Sequence, residues 1–175
     1  MSVLVRVAEP GDFDEIARLT VAAYAADGQL EGEHGYEHVL ADVATRAEHG
    51  ELLVAVDAAS GKPLGAVMFV LPGSRFAELS REGEAEFRTL AVDPEAQRRG
   101  VARALVRACL DRAADLGCSE LVISVRDFAE PAKRLYAGFG FTRWPERDWS
   151  PIDGVWLLAL RRPVVALAHQ VEGDL

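Results

Sequence analysis

Two strand-like runs joined by a long helical segment constrain this sequence more than any other feature. Glu84–Val92 reads as a strand ended by Asp93-Pro94, and Leu121–Val125 is nearly all apolar. Between them Val101, Leu105, Cys109, Ala113 and Leu116 recur at helical spacing across Arg98–Leu116, with Gly117 as the stop. Strands connected through such a helix lie parallel, because an antiparallel pair can be closed by a short turn. The apolar run suits a strand covered on both faces. The chain therefore reads as α/β.

The flanking segments add antiparallel pairs. Val3–Val7 alternates like an opening strand, and Pro10-Gly11-Asp12 breaks it; Asp12 with Glu15 suggests a capping box. Phe13, Ile16, Ala17, Leu19, Ala23 and Tyr24 then follow helical spacing. Tyr36, Val39, Leu40, Val43 and Ala47 predict a second amphipathic helix stopped by Gly50. Leu52–Val56 and Leu64–Leu71 flank a polar turn at Asp57–Pro63 and read as a hairpin. Pro72–Gly83 reads as loop. Glu130–Ala137 predicts a short helix with Pro131 in its first turn, and Phe139–Arg143 and Val155–Leu160 close the sheet. The expected architecture is a mixed, mostly antiparallel central sheet with helices on both faces, in one domain over 1–162 with a C-terminal tail over 163–175.

Composition excludes several functions. A net charge of −9 and a pI near 4.9 disfavour a backbone-tracking nucleic-acid binder, so no nucleic-acid partner is expected. An acidic surface tolerates a cationic acceptor. No apolar run approaches the ~18 residues of a membrane span, and Met1–Glu9 lacks the pattern of a signal peptide; no membrane partner and a cytoplasmic location are expected. Cys109 and Cys118 form no close pair and no metal-ligand spacing, so they read as small buried hydrophobes and no metal is expected.

The chemistry concentrates in Leu90-Ala91-Val92-Asp93-Pro94-Glu95-Ala96-Gln97-Arg98-Arg99-Gly100-Val101-Ala102. A strand runs into a turn, and a glycine opens a helix. The first turn of a helix leaves backbone N–H groups without intrahelical partners, and its dipole favours negative charge. Gly100 would let a phosphate approach the backbone, with Arg98 and Arg99 adding positive charge; the alternative is a glycine that permits tight helix entry beside a solvated arginine face. The glycine spacing is neither that of a nucleotide P-loop nor that of the dinucleotide fingerprint.

Gln97-Arg98-Arg99-Gly100-Val101-Ala102 resembles the Gln/Arg-x-x-Gly-x-Gly/Ala signature of the GCN5-related N-acetyltransferase (GNAT) superfamily. Ala132-Lys133-Arg134-Leu135-Tyr136-Ala137-Gly138-Phe139-Gly140-Phe141 resembles its Ala-x-x-Leu-Tyr-x-x-x-Gly-Phe motif, in the right order and at about the right separation. The resemblance covers roughly Leu52–Leu160. It implies a splayed parallel strand pair and acetyl-CoA as cosubstrate. Leu90, Ala91 and Val92 would pair with the pantetheine arm. Gln97, Arg98, Arg99, Gly100, Val101 and Ala102 would hold the pyrophosphate. Tyr136 would protonate the departing thiolate, the alternative being a ring packed beside Phe139. Glu86 falls where histone-type members carry a catalytic glutamate, and would act as base directly or through a water; its alternatives are a partnership with Arg88, a solvated edge, or a contact to the acceptor's charge. Many relatives carry Asn where this chain has Ala129; Asp127 could cap the helix instead.

The implied reaction is direct, sequential acetyl transfer to a primary amine of unidentified acceptor, small molecule or peptide. A non-catalytic acyl-CoA sensor or interaction module is the alternative. Acceptor choice falls to the first two helices, including Tyr24, Asp27, Glu31, Glu33, His34, Tyr36, Glu37 and His38, to the Pro72–Gly83 loop and to the segment before the last strand. His34, His38 and His49 read as surface residues. Trp144, Pro145, Trp149, Pro151 and Trp156 read as buried cover or as the contact of a homodimer, the alternative being a wall of the acceptor cleft.

Overall fold

The computed structural model describes residues 2–31 and 35–164. Its strands are β1 (Val3–Val7), β2 (Glu51–Asp57), β3 (Pro63–Val70), β4 (Glu84–Val92), β5 (Glu120–Arg126), β6 (Thr142–Arg143) and β7 (Leu157–Pro163). Its helices are α1 (Phe13–Ala26), α2 (Tyr36–Ala41), α3 (Val43–His49), α4 (Val101–Asp115) and α5 (Glu130–Gly138). The strands form one sheet in the order β1-β2-β3-β4-β5-β7-β6. The pairs β1–β2, β2–β3, β5–β7 and β6–β7 are antiparallel, and β4–β5 is parallel. This is the mixed α/β sheet expected from the sequence.

The chain divides into two compact units. The first gathers the segment up to Val70 with Ser74–Phe76 and Arg88–Ala108; the second holds Leu71–Gly73, Ala77–Phe87 and the chain from Cys109 onward. In the first, Leu52, Val54 and Val56 lie two residues apart on β2 and so share a face. They pack with Ile16 of α1, Val43 of α3 and Ala66 of β3, all nearly inaccessible to solvent. Each such side chain contributes about 1.5–3 kcal/mol relative to exposure. In the second unit, Val122 of β5 and Ala159 of β7 pack with Leu79, covered by Trp144 and Trp149. Arg147 stacks 3.6 Å above the Trp144 ring and pairs with Glu84 at 2.7 Å. Trp144 and Trp149 are thus cover for this core, whereas Trp156 is exposed.

Several local expectations are corrected. Asp12 does not box with Glu15: its carboxylate receives Glu9 N at 2.8 Å and an ion pair from Arg6 at 2.7 Å, which closes a capping box one turn earlier. Glu15 pairs with Arg18. The second helix is two helices, broken at Asp42, whose side chain caps α3 by accepting from Thr45 N and Oγ1. Asp127 is not the cap of α5; Ala129 holds that place without a side-chain bond. Only Thr142–Arg143 of the predicted Phe139–Arg143 strand pairs, and the last strand begins at Leu157 and takes in Pro163. Glu33, His34 and residues 165–175 of the tail lie outside the described residues.

Gly65, in the middle of β3, fixes how closely β4 and the start of α4 can approach. A Cβ there would stand 2.8 Å from the Ala91 carbonyl oxygen and 2.8 Å from Val101 Cγ1. Neither neighbour is the loose end of a flexible side chain. Gly65→Ala is therefore expected to cost about 2 kcal/mol, a melting temperature lower by roughly 4–8 °C at this chain length. Thermal unfolding followed by circular dichroism measures it, and an unchanged midpoint would contradict the packing described.

Candidate active site

β4 changes character along its length. Its first residues pair in parallel with β5, at Glu84↔Glu120, Ala85↔Leu121 and Glu86↔Val122. Farther on, Thr89 takes φ 56, a left-handed conformation that is an outlier for a β-branched residue. The alternation that would set Glu84, Glu86, Arg88 and Leu90 on one face is interrupted there. Beyond it Leu90 and Val92 are half-buried. Ala91 is buried against Leu19, Ala23 and Tyr24 of the first unit.

The strand ends on a braced turn. Asp93 is buried; its amide donates to Leu64 O at 2.8 Å, while its carboxylate accepts from Glu95 N at 3.0 Å and from Arg18 Nη2 at 2.6 Å. Burial pushes the Asp93 pKa up, but the Glu95 amide and the Arg18 guanidinium outweigh it and hold the carboxyl below its ordinary value. A 3-10 turn over Pro94–Ala96 follows, and Gln97 is extended. Arg98 then adopts φ 66 and Gly100 φ 76.

Two left-handed residues cannot belong to a right-handed helix, so α4 starts at Val101 rather than at the expected Arg98. Its first helical bond beyond the glycine is Ala104 N to Gly100 O at 3.0 Å. The amides opening α4 precede any i−4 carbonyl within the helix and carry the positive end of its dipole. Gln97, Arg98, Arg99 and Gly100 are exposed, while Val101 is buried against Gly65 and Ala102 is half-buried. Among the described residues, no heavy atom beyond its two chain neighbours lies within 4 Å of where a Gly100 Cβ would stand. Gly100 is thus set by its φ and by open space over the backbone, as an anion-binding turn requires. Arg98 holds its φ at a cost on the order of 1–2 kcal/mol, which the fixed turn around it sustains.

Tyr136 and Glu86 belong to the second unit. Tyr136 is 6% exposed on α5, and its ring lies 5.8 Å from both Phe87 and Phe141. Both rings meet it at a tilt. Burial, with a smaller contribution from Cys109, raises the phenol pKa above its ordinary value, so the hydroxyl keeps its proton. Glu86 is fully buried. Its Oε1 accepts from the amides of Glu78, Leu79 and Ser80, each at 3.0 Å, and Oε2 accepts from Glu78 N at 3.2 Å. The carboxylate anchors the loop before β4 and is buried rather than on a solvated edge. Arg88 instead donates to Phe76 O at 2.9 Å.

Two residues that support this turn, Arg18 and Gly65, did not stand out in the sequence. Arg18 and Asp93 lie 75 positions apart, beyond the reach of local patterning. Gly65 carried a signal, a lone glycine inside a strand, which marks a bulge or a close backbone approach.

Known proteins resemble this chain in sequence and in fold. The profile of the family described as Acetyltransferase (GNAT) family matches residues 14–141. A mycothiol acetyltransferase of Nocardioides sp. is 31% identical over 148 residues, 77% of this chain and 48% of that protein. A second, from Actinosynnema mirum, is 27% identical over 81% of this chain. The chain spans about half the length of these curated relatives. Among solved structures, an acetyltransferase of the GNAT family from Staphylococcus aureus Mu50 superposes with a TM-score of 0.73 at 10% identity, covering 94% of this chain and all of that one. PaiA N-acetyltransferase from Thermoplasma acidophilum, solved in complex with coenzyme A, gives 0.70 at 13% identity over 93% of this chain and 99% of its own. At those identities the likeness is one of fold.

Proposed function

The chain belongs to the acetyltransferase (GNAT) family, and from that premise we propose that it transfers the acetyl group of acetyl-CoA to a primary amine, directly and with both substrates bound together. The observation that carries the proposal is the turn of Arg98 and Gly100, left-handed, exposed and open, at the head of a 15-residue helix. Backbone amides of Arg98 to Ala102 hold the pyrophosphate, with the side chains of Gln97, Arg98 and Arg99 beside it. Leu90, Ala91 and Val92 offer backbone groups to the pantetheine arm, and an amide there polarises the thioester carbonyl.

In the reaction the amine nitrogen attacks the thioester carbon, the C–S bond breaks, and the thiolate of CoA takes a proton from Tyr136. A tyrosine kept protonated by burial suits that step. The amine's proton leaves by way of a water toward Glu86 Oε2, the less engaged of its two oxygens. Much of the acceleration comes from orientation, since aligned reactants reach effective molarities of roughly 10⁵ M or more. No covalent acetyl-enzyme is required. The two relatives that carry acetyl transfer in their names support the same reaction class.

The test is release of CoA thiol from acetyl-CoA across polyamines, aminoglycosides, amino acids, aromatic amines and peptides. Acceptor-dependent release is expected with at least one class. Saturable acetyl-CoA binding with no release from any acceptor would replace the enzyme by the non-catalytic acyl-CoA module.

A further inference from the structure

Arg46 is an arginine where a core residue would be expected. It lies on α3 at 3% exposure, in the first unit. Its Nη1 donates to Val39 O at 3.3 Å and Leu40 O at 2.6 Å, the closing carbonyls of α2. Its Nε is buried and meets no hydrogen-bond partner among the described residues. No described carboxylate forms an ion pair with it; Asp42, which acts on its charge from nearby, spends its oxygens on Thr45. A buried guanidinium held by carbonyls alone is costly, because burial strips its hydration and no counter-charge replaces it. Capping α2 uses one nitrogen and leaves the rest of the fork unexplained.

A second cation and two phenols act on it. Arg88 of β4 acts on the same guanidinium, against its charge, while Tyr24, Tyr36 and Asp42 act in its favour. The two tyrosine rings pair at 6.1 Å. Groups of α1, α2 and β4 thereby act on one buried guanidinium of α3. All four sit in the part of the chain to which acceptor choice was assigned, or on the strand that leads to the left-handed turn.

We propose that the acceptor carries an anionic oxygen group, a carboxylate or a phosphonate, besides its amine, and that Arg46 and Arg88 receive that group beside the Tyr24–Tyr36 pair. This deepens the acetyltransferase reading and rests on it. A planar guanidinium matches a carboxylate or phosphonate in two parallel hydrogen bonds, which a helix cap does not require. The anion supplies the counter-charge that Arg46 lacks, so the acceptor is selected by the cost of leaving that charge unpaired. The acidic net charge of the whole chain pointed toward cationic acceptors; the local charge points the other way.

The experiment compares matched acceptors that share one amine: each standard L-amino acid, its carboxamide, and its aminoalkylphosphonate analogue where one exists. Anionic members are expected to exceed their carboxamides in kcat/KM by about 10-fold or more, mainly through KM. Arg88→Met, at a half-buried position, is expected to erase that preference while sparing turnover of the carboxamides, and Arg46→Lys to weaken it at an unchanged melting temperature. Carboxamides used as well as the anions, or both lowered equally by Arg88→Met, would overturn the proposal. The phosphonates decide whether one charge or two is accepted. A binding arm separates this inference from the reaction itself: N-acetyl amino acids and their carboxamides are titrated calorimetrically into the CoA-saturated chain. Selective binding of the anions, lost in Arg88→Met, upholds the anion site even if no acceptor turns over, and no selectivity there overturns it.

Discussion

Replacing Tyr136 with Phe is expected to lower kcat on the order of 10²-fold or more while KM for acetyl-CoA stays near the wild-type value. The substitution removes one oxygen and keeps the ring. That ring is held by Phe87 and Phe141 at 5.8 Å each, so the aromatic cluster survives the change and the melting temperature should move little. What is lost is the proton that the departing thiolate needs. The loss belongs to the transition state alone, so it falls on kcat rather than on ground-state affinity. Steady-state kinetics with a thiol-reporting reagent measures it. Full activity in Tyr136→Phe would make the residue a packing group and leave water as the acid.

Glu86 gives the second large effect, and two substitutions are needed to read it. Glu86→Ala strips the partner from three amides, those of Glu78, Leu79 and Ser80. An orphaned buried donor costs about 1–3 kcal/mol, so this variant should lose several kcal/mol of stability. Glu86→Gln keeps a carbonyl oxygen for the three bonds that converge on Oε1 and should melt close to wild type. It cannot take up a proton. With Glu86 in the proton path, the Gln variant loses kcat by roughly 10²-fold or more. Wild-type kcat in the Gln variant beside an unstable Ala variant would leave Glu86 as the anchor of its loop only.

The parts of this fold that were legible in the sequence are those written in local spacing. The alternation of Leu52, Val54 and Val56, the helical recurrence of Leu105, Cys109 and Ala113, and the apolar run Leu121–Ile123 each specify an element through the residues within it. Boundaries failed where a side chain or a dihedral decided the matter. Asp42 splits a continuous apolar pattern by capping the second half. Arg98, a good helix former by composition, sits at φ 66, because the braced turn from Asp93 overrides its propensity. The site was legible as motifs, and its supports were not: Arg18 reaches Asp93 across 75 positions, and the burial of Arg46 has no sequence signature at all. Glu86 was legible as a residue worth naming, but the three amides it gathers come from a loop that carries no pattern.

The central claim is that acetyl-CoA binds on the left-handed turn that opens α4, and calorimetric titration of acetyl-CoA into the wild-type chain and into Gly100→Val tests it most directly. Gly100 is exposed with φ 76, so valine there strains the turn and stands over the amides of α4 without touching the core. One acetyl-CoA per chain is predicted for the wild type, with affinity weakened about 10-fold or more in the variant. Equal affinity in both, or no binding to the wild type, would contradict the account.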